Sequence, residues 1–296
     1  MTGREVVDVD QLGDLRRAFP LADLADAADK HARGTVLMVG GSAETPGAMV
    51  LAAEAALAAG AGRVQIATVS PVVAALGVAV PEARVIDVGS DGPHLPADAL
   101  DDQAEVLGSA DVVLLGPGAL DPERTAALAA AALRLVGPTC RVVLDAAALA
   151  VGSRHPEVVR ALGLRALAIP NVDEAAHLLD AEPDWVAEHS TDALSSMVDR
   201  LGCAVALRGP VTYAAAPGTA HHLDRSGPHH LATAGSGDVL AGVAAGMATR
   251  SDDLLGVAVR AVRAHASAGA VAADRAGGAI LARDLLPVLA RCVEDG

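Results

Sequence analysis

The chain has 296 residues, 52% hydrophobic and 20% charged, with a net charge of −15. That length and apolar fraction suit one large α/β domain with a sizeable core and exclude a disordered chain. Phe19, Trp185 and Tyr213 are its only aromatic residues, so aromatic platforms for stacked bases are missing, and the acidic balance opposes phosphate-backbone binding, which together argue against nucleic acid.

The high mean hydropathy of +0.39 comes largely from alanine, and charged or polar residues break every long apolar run, so no membrane-spanning helix is expected. Residues 1–8 lack the charged-then-apolar pattern of a secretory leader, and Cys140, Cys203 and Cys292 are far apart with no CxxC pair. Reduced thiols and a cytoplasmic location are the economical expectation.

In chain order, residues 1–29 read as a polar lead-in with one or two short helices, and a core of about 30–292 follows as a single domain spanning 1–296. Val36–Val39 is a short apolar strand that ends on Gly40-Gly41-Ser42, and Gly47–Ala59 is a helix stopped by Gly60 and Gly62. Val64–Thr68, Val112–Leu115, Val142–Leu144, Ala166–Ile169 and Ala204–Leu207 read as buried strands, with alanine-rich helices near 122–135, 155–162 and 173–180. Short apolar strands alternating with helices predict a mostly parallel sheet covered on both faces. Residues 211–216 and 221–223, separated by Pro217-Gly218, predict an antiparallel hairpin at the sheet edge, and helices follow near 236–247 and 254–273.

Open parallel sheets bind ligands at the carboxyl ends of their strands. Those ends carry Gly40-Gly41-Ser42, Gly116-Pro117-Gly118, Asp145, Pro170-Asn171-Val172-Asp173-Glu174 and Arg208-Gly209. The sharpest element is Ala234-Gly235-Ser236-Gly237-Asp238. Small residues there let a ligand approach the backbone, and the following helix aims unpaired N–H groups at an anion. Asp238 falls in the first helical turn, where the dipole favours the ionised carboxylate, a suitable base for a substrate hydroxyl; as a plain helix-start residue it would look the same. Neither GxGxxG nor GxxxxGK[ST] is present, which argues against hydride transfer and a P-loop. His221, His222, His229 and His230 read as solvated loop residues, since neighbouring strand residues face opposite ways and cannot share an ion. His265 reads as a packing residue, the cluster Asp98, Asp101, Asp102 and Glu105 as a solvated face, and no metal site is expected from side chains alone.

Taken together, Gly40-Gly41-Ser42…Pro46-Gly47-Ala48…Ala59-Gly60-Ala61-Gly62, Gly116-Pro117-Gly118, Asp145-Ala-Ala-Ala-Leu149, Pro170–Glu174, Arg208–Thr212, Leu231–Asp238 and His265–Gly269 resemble, in order and spacing, the ADP/ATP-dependent NAD(P)H-hydrate dehydratases of the ribokinase-like superfamily. The resemblance implies a three-layer α/β/α sandwich with an antiparallel edge hairpin. It implies repair of hydrated NADH or NADPH by phosphoryl transfer from ADP or ATP to the hydroxyl, followed by loss of phosphate. It gives Asp238 the role of base and the N–H groups of Gly235, Ser236 and Gly237 that of an anion hole. Ala48, Gly118 and Asn171, with Asp238, become substrate contacts, while Arg208, Gly209, Pro210, Val211, Thr212 and Gly237 become nucleotide contacts. Mg²⁺ held largely by phosphates is implied, as is a homo-oligomer, for instance a tetramer.

Five positions depart from the family pattern. Asn171 stands for His, Asp173 for Gly, Arg208 for Lys, Pro228 for Asn and Ala234 for the first Gly of GGTGD. Ala234 matters only where the backbone needs a positive φ, and Pro228 removes one N–H ahead of the anion hole. Two other readings share the same residues: a ribokinase-like small-molecule kinase, and a nucleotide-binding protein without turnover.

Overall fold

The computed structural model describes residues 5–295; residues 1–4 and 296, the ends of the expected single-domain range, lie outside it. Ten strands form one sheet: β1 (Val6–Asp8), β2 (Thr35–Val39), β3 (Arg63–Thr68), β4 (Ala83–Asp87), β5 (Val112–Leu115), β6 (Arg141–Leu144), β7 (Ala166–Ala168), β8 (Ala204–Leu207), β9 (Thr212–Ala215) and β10 (His221–Asp224), in the spatial order β1-β10-β9-β8-β7-β6-β5-β2-β3-β4. Pairing is parallel throughout except for β8/β9 and β9/β10. All residues of β2, β5, β7 and β8 are buried, as expected of continuous apolar strands with helices on both faces.

The hairpin is antiparallel as expected, but it is not the outermost element. Val6–Leu223 pairing by β1, Val6 opposite His221 and Asp8 opposite Leu223, adds a parallel strand outside β10. This strand lies in the stretch expected to be a helical lead-in. Its three residues are too few to show a period, and only the exposed edge of β10 makes them a strand.

The chain runs from β2 outward through β3 and β4, then returns to β5 and proceeds the other way. The reversal places a crevice at the carboxyl ends of β2 and β5, the usual ligand position in such sheets.

Two helices frame that crevice: the partly buried α1 (Pro46–Ala58) and the almost wholly buried α2 (Ser236–Ala248). Every residue from Val239 to Ala248 is buried, so α2 has no solvent face and lies within the molecule. Its approach to α1 is set by glycine. A Cβ on Gly242 would stand 2.2 Å from the Ala52 carbonyl oxygen, and one on Gly246 would stand 2.4 Å from that of Ala56. Bulky residues would hold these helices apart, so the near absence of aromatics is compatible with a dense core made from small ones.

Gly242→Ala forces a methyl against backbone and should lower stability by about 2–3 kcal/mol in urea unfolding. Gly77→Ala is the control. Gly77 lies in the helix Val73–Ala79 with open space at its Cβ, and the change should stabilise by about 0.5–1 kcal/mol.

Candidate functional site

The turns after β2 and β5 are tied to each other. The Gly41 N–H donates to the Pro117 carbonyl at 2.8 Å, and the Thr45 hydroxyl donates to the Gly118 carbonyl at 2.6 Å. Gly118 has φ +70°, and a Cβ there would stand 3.0 Å from the Ala48 Cβ and 3.1 Å from the Gly41 Cα. Ala48 and Gly118, widely separated in sequence, thus share one wall of the crevice.

On the other side, Asp145 at the end of β6 is 2% exposed. Arg208, at the end of β8, places Nη2 3.3 Å from Asp145 Oδ1 and 3.3 Å from Glu174 Oε2. Its Nε donates to the Ile169 carbonyl at 3.1 Å. Glu174 is itself fixed by a capping box at the start of the helix Val172–Leu179. Asn171 Oδ1 accepts from the Glu174 N–H at 2.9 Å, and Glu174 Oε2 accepts from the Asn171 N–H at 2.8 Å. Asn171 therefore has a local structural task besides any ligand contact. The guanidinium also lies over the start of α2, where a Cβ on Gly237 would stand 2.4 Å from Arg208 Nη1; only glycine leaves that space.

The start of α2 is shaped by Gly235, which has φ +86° and whose Cβ would meet Leu51 Cδ1 at 2.5 Å. Ala234 and Pro228 are readily accommodated. Ala234 is not among the positive-φ residues, and Pro228 has φ −71°, which its ring prefers. No side chain caps this helix. The Ser236 N–H donates to the Thr233 carbonyl and the Val239 N–H to the Gly235 carbonyl, while the N–H groups of Gly237 and Asp238 have no protein partner among the described residues. These two donors are left open, which is the arrangement a helix start offers to an anion. The Ser236 hydroxyl lies 3.0 Å from His265 Nε2. Burial, assisted by Arg208, pushes His265 down to about 4, so this imidazole is neutral at physiological pH.

Asp238 departs from expectation. The helix dipole was expected to favour its ionised form, but burial dominates and, with Glu174 adding repulsion against the pull of Arg208, raises its pKa to about 6. Desolvation outweighs the dipole because the first turn of α2 is enclosed by α1 and the sheet. Asp145 is raised by the same cause, with Arg208 opposing and Glu174 and Asp238 adding to it.

Two cavities flank this cluster. One of about 560 Å³ is lined by Asn171, Arg208, Gly209, Pro210, Thr212 and Ser236, among others; Val211 is the member of its turn that does not line it. The other, of about 820 Å³, is bounded by Glu123, Ala146, Arg154, Asp173, Glu174 and His177, among others.

The histidine group is not uniformly solvated. His221 is buried, with Nε2 3.2 Å from the Ser195 hydroxyl, and His222 is half-buried edge-on to Phe19 with ring centroids 5.6 Å apart. The strand β10 is covered by β1 and neighbouring side chains, which a loop reading of these residues could not anticipate. His229 is exposed and lies against His230 with the two rings tilted to each other. No group of three or more His, Cys, Asp or Glu among the described residues could hold a metal ion. The expected acidic face is exposed at Asp98, Asp101, Asp102 and Glu105. Thr45 and Leu51 carried no motif signal, and although Ser236 and His265 each fell in a motif, their contact was not foreseen, because it joins distant segments.

Residues 36–291 match the family model described as NAD(P)H-hydrate dehydratase. The ADP-dependent (S)-NAD(P)H-hydrate dehydratase of Xanthomonas campestris pv. campestris is 37% identical over 278 residues, covering 92% of this chain and 91% of that protein. The bifunctional NAD(P)H-hydrate repair enzyme of Moorella thermoacetica is 33% identical over 86% of this chain, which spans 48% of that longer relative. Among solved structures, a ribokinase-like superfamily protein from Enterococcus faecalis aligns with TM-score 0.78 and 19% identity over 99% of this chain and 96% of that one. The ADP/ATP-dependent NAD(P)H-hydrate dehydratase of Bacillus subtilis, co-crystallised with ATP/Mg²⁺, aligns with TM-score 0.76 and 23% identity over 94% of this chain and 95% of that one.

A carboxyl with a raised folded-state pKa binds more protons folded than unfolded, so its ionisation lowers stability as pH rises from about 4 through about 6. Asp238→Asn should therefore be more stable than the parent at pH 7.5, by about 1–3 kcal/mol. The gain should shrink towards pH 4, as measured by urea unfolding at both pH values.

Proposed function

The chain belongs to the NAD(P)H-hydrate dehydratase family, and we infer that it converts (S)-NAD(P)H-hydrate back to NAD(P)H using ADP or ATP as phosphoryl donor. The observation that carries this reading at the site is the juxtaposition of two open N–H groups, at Gly237 and Asp238, with the half-buried Asp238 carboxyl, whose pKa is raised. The chain acts as one ribokinase-like domain.

The nucleotide occupies the cavity lined by Arg208, Gly209, Pro210 and Thr212, with Val211 completing that turn, and its terminal phosphate meets the Gly235-Ser236-Gly237 turn. Ser236 lines the cavity but its N–H is engaged by the Thr233 carbonyl, so the Gly237 and Asp238 N–H groups are the open donors. The hydrated nicotinamide lies across Ala48 and Gly118, within reach of Asn171 and Asp238. Asp238 takes the proton from the ring hydroxyl as that oxygen attacks the terminal phosphorus, and the bond to the nucleotide leaving oxygen breaks. With a pKa of about 6, Asp238 is ionised at neutral pH yet more basic than an ordinary aspartate. The open N–H groups stabilise charge on the phosphoryl oxygens in flight. Arg208 is prepositioned by Asp145 and Glu174, so its charge faces the phosphates without reorganisation. Phosphate then leaves the ring carbon with the C–O bonding pair, the adjacent ring carbon gives up a proton to solvent, and the freed C–H pair becomes the restored double bond, leaving NAD(P)H, inorganic phosphate and AMP or ADP.

Mg²⁺ fits the donor set as an ion held mainly by phosphates. Asp145 and Glu174, which pair with the cavity-lining Arg208, are hard oxygen donors close behind that wall, and there is no three-ligand cage among the described residues. Mg²⁺ commonly takes one or two carboxylates plus phosphate and water oxygens, and when bound supplies charge neutralisation for the phosphates. No described helix is long and apolar enough to cross a membrane, which is compatible with action in the cytoplasm. Self-association into a homo-oligomer, for instance a tetramer, is part of the same reading and is read by light scattering.

Incubation with hydrated NADH, Mg²⁺ and ADP or ATP should restore the absorbance of reduced nicotinamide; no recovery with either nucleotide would sink the assignment. Asp238→Asn should lower kcat by about 10³-fold or more while ADP still binds, and turnover that survives would displace Asp238 as base. In the parent enzyme, kcat should fall about tenfold per pH unit below about 6 as Asp238 takes up a proton.

A further inference from the structure

We propose that His229, backed by His230, is the platform on which the base of the bound nucleotide stacks. The proposal rests on the placement of the nucleotide argued above. With phosphates at the start of α2, the base must occupy the rest of the 560 Å³ cavity, a volume within the range of small-molecule sites. Nucleotide bases are held on flat π-faces, and here Phe19, Trp185 and Tyr213 are all absent from the lining. Two rings remain there, His229 and His265. His265 is buried and engaged with Ser236, so it belongs to the phosphate end.

His229 is exposed and lines the same cavity from the short turn His229–Leu231 that Pro228 introduces. Its ring centroid is 3.9 Å from that of His230, with the planes 32° apart. His230 does not line the cavity, and its Nδ1 is buried without a hydrogen-bond partner. It acts as a rigid support behind His229. The two imidazoles, adjacent in sequence, lie in tilted contact, with His229 the one that lines the cavity beside Pro228 and Leu231 and offers its ring to the base. Stacking tolerates any base but favours the larger purine face, so this surface selects ADP over pyrimidine diphosphates.

Calorimetric titration of the full chain with ADP, UDP and inorganic pyrophosphate tests this. His229→Ala should weaken ADP binding about 10-fold, leave pyrophosphate binding unchanged and erase most of the preference for ADP over UDP. His229→Phe should restore ADP affinity to within about twofold of the parent, since a phenyl ring supplies the same π-face. Equal ADP affinity in parent and His229→Ala, or an equal loss for pyrophosphate, overturns the proposal; the latter would mean that the turn merely shapes the phosphate end. If the parent itself binds no ADP, the placement of the nucleotide fails first, a result distinct from the loss of stacking alone.

Discussion

The contact on which the site depends is that between Gly242 and Gly246 of α2 and the backbone carbonyls of Ala52 and Ala56 in α1. It lets two helices approach to backbone distance, and both of their N-terminal ends then reach the crevice at the carboxyl edge of β2 and β5. The start of α1 brings Ala48 against Gly118, and the start of α2 brings Gly235–Asp238 beside Arg208. Packing of this kind leaves no room for large side chains, so the alanine-rich composition and the placement of the anion-binding turn have one cause.

The second constraint is electrostatic. Asp145, Glu174 and Asp238 surround one guanidinium, that of Arg208. Burial makes their charges costly, and Arg208 offsets only part of that cost, so Asp145 and Asp238 are held above the ordinary carboxylate range. Carboxyls held above their ordinary range destabilise the fold, a common exchange where function needs a strained charge. On the proposed reading, a chain of net charge −15 would hold phosphates with open N–H groups and one positioned arginine acting locally, without a basic surface.

Much of this was legible beforehand, for identifiable reasons. The strands β2, β5, β6, β7 and β8 were readable because they are buried on both faces and written as unbroken apolar runs. Gly116, Gly118, Gly235 and Gly237 stood out because a close backbone approach admits no side chain. Strand β1 was not readable, because three residues carry no period and take their conformation from β10. The burial of His221 and His222 escaped for the same reason, since it depends on what covers the hairpin. The substitution of Arg208 for Lys was visible, but the double engagement with Asp145 and Glu174 was not, since those residues come from three separate strand ends.

By itself, then, the sequence determined the α/β architecture, the positions of the turns at the strand ends and the identity of the groups presented there. These follow from local periodicity and from steric demands that a single residue can reveal. Only the tertiary structure decided the raised pKa of Asp238, the confinement of Arg208 and the placement of His229 in the cavity lining. Each of those depends on burial and on distances between segments far apart in the chain, and desolvation and Coulomb energies have no sequence-local signature.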